Sequence, residues 1–218
     1  MVESENVASA LEGFEDALTR PTNLVVGELE SFFAELQKWQ RAQNLVSRET
    51  LGNFWNRHVR DSLQLLPHLS GLGKNMIDAG SGGGFPALPV AIAQKGSDRR
   101  FVLIESNRRK VSFLRAMIRR FELNAIVIDK RIEAVDPDLI GTVDVITSRA
   151  TASLSDLLDW TTRLRNPDSV ALLHKGREFR EEVANALKVW QFDVLEIPSV
   201  TDPESAILKL SRIRSKDA

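Results

Sequence analysis

The sequence contains no cysteine, and it has only three histidines among its 218 residues. Without cysteine there is no disulfide, no thiolate metal site and no cysteine nucleophile. The histidines, His58, His68 and His174, lie far apart in sequence, whereas the histidines of a zinc site are usually separated by only a few residues. We therefore expect no bound metal.

Long apolar runs are also missing. The first 20 residues are acidic and contain no continuous apolar stretch, so we expect neither a signal peptide nor a membrane span. Apolar residues make up 43% and charged residues 27% of the chain, as in ordinary globular proteins. These features predict a cytoplasmic protein with no membrane partner, built as one domain with an extension or as two small domains.

Charge is distributed unevenly along the chain. The formal net charge is −1, but residues 1–30 hold seven acids and one base, which leaves the rest of the chain with an excess of five bases. Some of these bases are adjacent, at 99–100, 108–110 and 119–120. A basic body is compatible with a phosphate-bearing partner, although such charge runs are more often solvated helix faces.

Residues 1–73 have the periodicity of amphipathic helices and predict a helical extension. Apolar side chains recur every three or four positions over 29–39, which predicts a helix with one apolar face. Thr22 or Asn23 is the candidate N-cap of that helix. A second helix is predicted over roughly 50–68, where a similar apolar face recurs.

From residue 74 onward, short apolar segments alternate with amphipathic segments. The predicted strands are 75–79, 101–105, 125–129, 142–147 and 169–174. The predicted helices are 86–95, 107–122, 153–164 and 178–189. This alternation predicts a doubly wound parallel sheet, and two final strand-like segments predict an antiparallel hairpin at its edge. The expected architecture is an α/β core over 74–218 with a mostly parallel seven-stranded sheet.

The segment DAGSGGGFP, residues 78–86, is the strongest local motif. It lies between a strand and a helix, where open α/β sheets bind ligands, and glycine lets the backbone approach a ligand closely. The spacing Asp78-x-Gly80-x-Gly82-x-Gly84 has the methyltransferase form, whereas the residues from Gly82 onward fit the dinucleotide pattern G-x-G-x-x-A. We favour the first register, with Asp78 ordering the loop by accepting backbone hydrogen bonds.

Two positions on the next strands complete a predicted nucleoside site. Glu105 ends the second strand, 25 residues after Gly80, where a carboxylate can accept hydrogen bonds from both ribose hydroxyls. Ile132, in the loop after the third strand, is placed to pack against an adenine ring. Glu105 suits NAD and S-adenosylmethionine equally, so these positions alone do not choose between the two cofactors.

Several segments in a fixed order are far more specific than the glycine loop. They are LQKWQRAQNLVS, RHVRDS, the glycine loop, LIESNRRKVSFLR, TSRATASL and LLHKGRE, all within residues 36–178. On these residues the chain resembles the bacterial 16S rRNA guanine-N7 methyltransferases, the RsmG or glucose-inhibited division protein B family. The resemblance implies a Rossmann-like class I methyltransferase that uses S-adenosylmethionine to methylate N7 of a guanine in the 530 loop of 16S rRNA.

The resemblance also implies which residues contact the cofactor. These contacts fall on Gly80, Phe85, Ile132, Glu133 and Arg149. Glu105 occupies the acidic ribose position of the family. The sequence departs from the family at Ala87, where glycine is usual, and at His174, which often has an aliphatic counterpart.

Guanine N7 carries a lone pair and no proton, so we expect no general base and assign no catalytic residue. Catalysis would instead depend on proximity and alignment. Binding of 16S rRNA or the small subunit would then fall to Arg149 and Lys175, which follow the fourth and fifth strands, and to Arg57 and His58. Asp61 is placed to pair with Arg57 one helical turn away. We expect the protein to act as a monomer.

Two other functions remain open from the sequence. A nicotinamide-dependent oxidoreductase would use the alternative glycine register, but no proton-transfer residue near a hydride site is evident. A non-catalytic RNA-binding protein with a retained methyltransferase fold is the second alternative, and the intact glycine loop argues against it.

Overall fold

The computed structural model describes residues 6–149 and 151–216. Seven strands form one sheet in the order β3-β2-β1-β4-β5-β7-β6. Their bounds are β1 Asn75–Ala79, β2 Arg100–Glu105, β3 Ala125–Asp129, β4 Val145–Arg149, β5 Val170–Lys175, β6 Trp190–Pro198 and β7 Ala206–Ser215. Strands β1 to β5 pair in parallel, and β7 pairs antiparallel with both β5 and β6. The predicted fold class, a mostly parallel sheet with a C-terminal antiparallel hairpin, is confirmed.

Seven α-helices accompany the sheet in the described residues. They are α1 Val7–Leu11, α2 Thr22–Gln40, α3 Asp61–Leu63, α4 Ala87–Ala93, α5 Arg108–Arg120, α6 Leu154–Trp160 and α7 Phe179–Ala186. Helices α4 to α7 connect strands, and each lies within its predicted range or ends a few residues short of it. Within the described ranges, no helix combines the length and hydropathy that crossing a membrane requires.

The sheet separates two hydrophobic cores. Successive residues of a strand point to opposite faces, so Met76 belongs to one core and Ile77 to the other, and both are buried. The first core contains α2, α4 and α5, and the second contains α6 and α7. The central strands are covered on both faces, as expected for parallel strands that are almost entirely apolar.

Helix α2 joins the N-terminal segment to the sheet. Its apolar face, including Leu29, Phe32 and Leu36, is fully buried in the same core as α4 and α5. The predicted N-cap is wrong: Pro21 is the cap, it makes no side-chain hydrogen bond, and Thr22 is already helical. The division of the chain between residues 73 and 74 stays a prediction.

The single helix predicted over 50–68 is also wrong. The segment consists of a 3₁₀-helix (Arg48–Asn53), a π-helix (Trp55–Arg60), the short α3 and another 3₁₀-helix (Leu66–Leu69). The irregularity has a consequence for hydrogen bonding. In a regular helix the backbone carbonyl of Asp61 would accept a hydrogen bond from the amide of Leu65, and here that bond is not made. That amide bonds to Ser62 instead, and the Asp61 carbonyl accepts from side chains, Gln64 at 3.0 Å and His174 at 2.7 Å.

Candidate active site

A cavity of about 720 Å³ lies at the carboxyl ends of the parallel strands. Its wall comes from the glycine loop, from the ends of β2, β4 and β5, from the loop after β3, and from the N-terminal extension. The volume is in the range of small-molecule and cofactor sites. The cavity brings together all the predicted site residues except Asp78, which lies beneath the loop.

Hydrogen bonds to β2 fix the glycine loop. The amides of Gly80 and Ser81 both donate to the Ile104 carbonyl at 3.0 Å, and the Gly82 amide donates to the Glu105 carboxylate at 2.8 Å. Gly80 has φ +76°, and a β-carbon there would lie 2.5 Å from the Thr151 side chain. Gly80 is therefore required both by its backbone conformation and by the close approach of Thr151.

The N-terminal extension closes over the glycine loop at Gly83. A β-carbon at Gly83 would lie 2.6 Å from the Leu45 carbonyl oxygen. Buried Gln40 holds this segment in place, donating to the Val46 carbonyl and accepting from the Leu45 amide, each at 2.8 Å. Sequence reasoning missed this clamp, and its only signal was that the segment LQKWQRAQNLVS belongs to the family resemblance.

Asp78 differs from the sequence prediction. One carboxylate oxygen accepts a hydrogen bond from the Thr147 hydroxyl at 2.9 Å, and the other has no partner among the described residues. The predicted backbone hydrogen bonds to Asp78 are therefore wrong, because the loop amides bond to β2 instead. Burial raises the pKa of Asp78 to about 7, since a charge in an apolar environment is costly.

Glu105 and Ile132 lie on the cavity wall where the nucleoside was predicted. The Glu105 carboxylate accepts from the Gly82 and Asn107 amides at 2.8 and 2.7 Å, which fixes its orientation. Ile132 is buried at the start of a 3₁₀ turn, and Glu133 beside it is exposed. Two well-oriented carboxylate oxygens and an apolar wall suit the hydroxyls and the ring of an adenosine.

Arg149 lies at the end of β4 with its guanidinium fully engaged. It donates to the Arg57 carbonyl at 2.9 Å, to the Asp61 carboxylate at 3.1 Å and to His58 Nδ1 at 2.9 Å. It also stacks over Phe85, 5.1 Å from the ring centroid. Burial lowers the pKa of Arg149, and Asp61 opposes this shift. The residue is thus a fixed part of the wall.

Asp61 is the centre of this polar cluster. Besides Arg149, its carboxylate accepts from Thr201 at 3.0 Å and from Gln64 at 2.8 Å. The predicted Asp61–Arg57 pair is wrong: Arg57 pairs with Asp202, in the loop between β6 and β7, at 3.4 Å. The π-helix turns Asp61 toward the end of β4, so its carboxylate neutralises Arg149 instead of the exposed Arg57.

Two buried histidines complete the cluster. His58 Nδ1 accepts from Arg149, so its Nε2–H donates to the Thr50 hydroxyl at 2.8 Å. Burial, together with the nearby charge of Arg149, lowers the pKa of His58 to about 3, so the ring is neutral. His174, where the family often has an aliphatic residue, donates to the Asp61 carbonyl at 2.7 Å. His174 therefore shares with Gln64, which donates to the same carbonyl at 3.0 Å, the role that the Leu65 amide would have in a regular helix.

Lys175 also lines the cavity, but it is buried and paired. Its ammonium donates to Glu182 and to the Ala152 carbonyl, each at 2.7 Å. All four residues predicted to hold RNA have partners within the protein, and of these four only Arg57 is exposed. Trp55, which also lies in the N-terminal extension, packs against Phe33 and Phe54. RNA contact at these residues stays a prediction.

Comparisons with known proteins agree with this architecture. A family model described as rRNA small subunit methyltransferase G matches residues 26–208. The ribosomal RNA small subunit methyltransferase G of Cereibacter sphaeroides is 41% identical over 188 residues, which cover 85% of this chain and 90% of that protein. The protein of the same name from Rhizobium meliloti is 40% identical over 198 residues, 89% and 92% of the two chains.

Solved structures show the same fold at low sequence identity. An SAH-bound methyltransferase from Podospora anserina has a TM-score of 0.61 at 13% identity, covering 94% of this chain and 93% of that one. The O-methyltransferase TomG from Streptomyces achromogenes, in complex with SAM, has a TM-score of 0.55 at 13% identity, covering 97% and 99%.

The sheet order, the glycine loop and the carboxylate that ends β2 define a Rossmann-like class I methyltransferase. The matches over most of the chain then fix the family. The chain belongs to the rRNA small subunit methyltransferase G family. Among the described residues, no group of three or more histidine, aspartate or glutamate side chains is arranged to hold a metal ion.

Proposed function

We propose that the protein transfers the methyl group of S-adenosylmethionine to N7 of a guanine in the 530 loop of 16S rRNA. The observation that carries the proposal is the cavity, where the glycine loop, the fixed Glu105 carboxylate and Ile132 meet Arg149 in a chain of this family. S-adenosylmethionine supplies an electrophilic methyl group on a sulfonium. The residues present fit it: Gly80 and Gly82 line the cavity without side chains, beside the oriented Glu105 carboxylate.

The chain positions its substrates and need not remove a proton. Guanine N7 attacks with a free lone pair, and the ring gains positive charge as the new bond forms. Arg149 and Lys175 line the cavity, and each has its own carboxylate: Asp61 for Arg149 and Glu182 for Lys175. Because these pairs are nearly neutral, they do not repel the charge that develops on the purine. Alignment of the two substrates within the cavity then supplies the rate enhancement.

Gly82→Asp tests the cofactor assignment. Gly82 has φ +55°, and a β-carbon would meet nothing closer than 3.8 Å, so we expect a stability loss of only ~1–2 kcal/mol. The new side chain would enter the cavity between Glu105 and the Lys110 ammonium, which lies 3.9 Å from the β-carbon position, and would occupy space beside the predicted ribose contacts. Calorimetric titration with S-adenosylhomocysteine should show binding weakened ~100-fold or more, or about 3 kcal/mol.

Gly141→Asp is the matched control, because Gly141 has φ +77°, open space around it and no place in the cavity wall. It should bind S-adenosylhomocysteine as the wild type does. Equal affinities in the two variants would refute the site. Titration with NADH in the same instrument tests the dinucleotide alternative, for which the cavity holds no further support.

Mapping of the modified atom tests the substrate assignment. Small subunits and deproteinised rRNA are incubated with the enzyme and labelled cofactor, and borohydride cleavage then locates N7-methylguanine. A mark at another atom, or none on either substrate, would contradict the proposal.

We also propose that residues 1–73 form an extension of the 74–218 core and that the protein is a cytoplasmic monomer. Light scattering would test the oligomeric state.

A further inference from the structure

Helix α5 carries an unbalanced set of positive charges. Six of its thirteen residues are basic and none is acidic: Arg108, Arg109, Lys110, Arg115, Arg119 and Arg120. Three of these bases occupy the first turn, where the helix dipole disfavours cations. Among the described residues, only Arg120 has an ion-pair partner, Glu35 at 3.6 Å. This positive charge therefore costs stability, and no acidic side chain of the helix compensates for it. A helix face that only needs to be solvated would not require so many bases.

Three of the arginines form one line on the surface. Arg108, Arg115 and Arg119 are spaced seven and four residues apart, which places them on one helix face. All three are exposed, and the opposite face, with Leu114 and Met117, is buried against the sheet. We call this line the arginine ridge. Its α-carbons span about 16 Å, from the helical rise over eleven residues.

The ridge begins at the mouth of the cavity. Helix α5 starts three residues after Glu105, and Asn107 caps it by accepting from the Arg109 and Lys110 amides. Lys110, in the first turn, lines the cavity itself and has no ion pair among the described residues. Lys110 is two residues beyond Arg108 and therefore lies on the opposite side of the helix from the ridge, so a polyanion on the ridge reaches the cavity opening around the first turn of α5.

RNA geometry requires such a surface outside the cavity. N7 lies in the deep groove of an RNA helix, so the target base must be unstacked to reach the enzyme, and its flanking phosphates stay outside. Arg149, Lys175 and His58 are engaged within the protein, so the flanking phosphates need cations outside this cluster. Arginine suits phosphate through its planar, bidentate donors.

We propose that the arginine ridge binds the phosphate backbone of small-subunit rRNA beside the target guanine. The proposal rests on the proposed function and adds the surface that holds the RNA. Neutralising phosphates releases counterions, so each contact contributes about −0.9 to the slope of log affinity against log salt for a duplex and about −0.7 for a single strand.

The test is the triple variant Arg108→Gln/Arg115→Gln/Arg119→Gln, with binding to small subunits measured between 50 and 200 mM salt. Raising the salt over this range lowers the affinity of both proteins. Because the variant has lost three contacts, its affinity should fall by a factor roughly 20 to 40 times smaller than the factor for the wild type. At low salt, KM for subunits should rise at least tenfold, while kcat and affinity for S-adenosylhomocysteine stay within twofold.

The matched control is Arg163→Gln/Lys188→Gln/Arg214→Gln, which removes the same charge. These residues are exposed, and they lie outside the cavity wall, after α6, after α7 and near the end of β7. A ridge variant with the same salt slope as this control would overturn the proposal. If wild-type protein fails to methylate while the slopes still differ, the proposed reaction fails and the ridge stands as a binding surface.

The identity of the partner is tested at Ser112, which lies on the ridge between Arg108 and Arg115 and is exposed. The Ser112→p-benzoylphenylalanine variant is irradiated in its complex with small subunits, and the adducts are mapped. We expect adducts with rRNA. Adducts confined to ribosomal proteins, or absent from the RNA, would overturn the assignment of the ridge to the phosphate backbone.

Discussion

Asp61→Ala is expected to lower the free energy of unfolding by about 3 kcal/mol, the lower end of the range for breaking a buried ion pair, because it leaves the guanidinium of Arg149, whose side chain is 19% exposed, without its carboxylate. The same change removes the acceptor of Thr201 and Gln64. Without this anchor, Arg149 no longer stays stacked on Phe85, so binding of S-adenosylhomocysteine should weaken as well. Urea denaturation and calorimetry measure the two effects.

Asp202→Ala is the control for this prediction. It removes the Arg57–Asp202 pair, in which both side chains are at least 31% exposed, and exposed pairs contribute only about 0–1 kcal/mol. A double-mutant cycle with Arg149→Ala isolates the pair itself, and a coupling of at least about 1 kcal/mol is expected for residues in contact. If Asp61→Ala is no more harmful than Asp202→Ala, Asp61 does not hold Arg149.

Asp78→Asn is expected to stabilise the protein without cofactor by an amount that grows with pH. In the folded chain the Asp78 pKa is raised to about 7 from an ordinary value of 3.8. Between these values the folded state keeps a proton that the unfolded state has lost, so stability falls as pH rises. The difference corresponds to roughly 4 kcal/mol at full effect, and asparagine removes it because it carries no charge.

Unfolding free energies of variant and wild type, measured at pH 5, 6, 7 and 8, test this. The neutral buried histidines have the opposite effect. Because the pKa of His58 is lowered from 6.5 to about 3, the folded protein loses stability as the pH falls between these values. Comparing the two proteins at each pH cancels their contribution. Asp98→Asn is the control: its pKa is lowered by Lys74, so its curve should parallel the wild type. A parallel curve for Asp78→Asn would contradict the prediction.

The strands and helices of the core could be predicted because their signals are local. The strands NMIDA and FVLIE read as apolar runs, since both faces of the sheet are covered, and the switch to helical periodicity locates the crossovers. The ends were less accurate: β4 begins at Val145 and not at 142. Strand ends depend on neighbouring strands, which the periodicity of one segment does not report.

The site could be predicted only in part, for the same reason. The glycine loop and Glu105 belong to local strand–loop signals, and the structure places them on one cavity. Asp61 pairs with Arg149, about 90 residues away in the sequence, and Lys175 pairs with Glu182, seven residues away. The π-helix that positions Asp61 has no distinctive sequence pattern. Gln40 reads as an ordinary polar residue at the end of α2, although it clamps the loop segment over Gly83.

The position of β7 between β5 and β6 has a consequence for synthesis. Strand β6 pairs only with β7, which follows it in the sequence. A growing chain therefore carries β6 without a partner until residue 215 has emerged. Until then the edge of β5 is also open, and β6 shows apolar side chains such as Leu195. Unpaired edges of this kind associate readily with other chains. The sheet is therefore completed only once β7 is available, and the edges of β5 and β6 are most open to association before then.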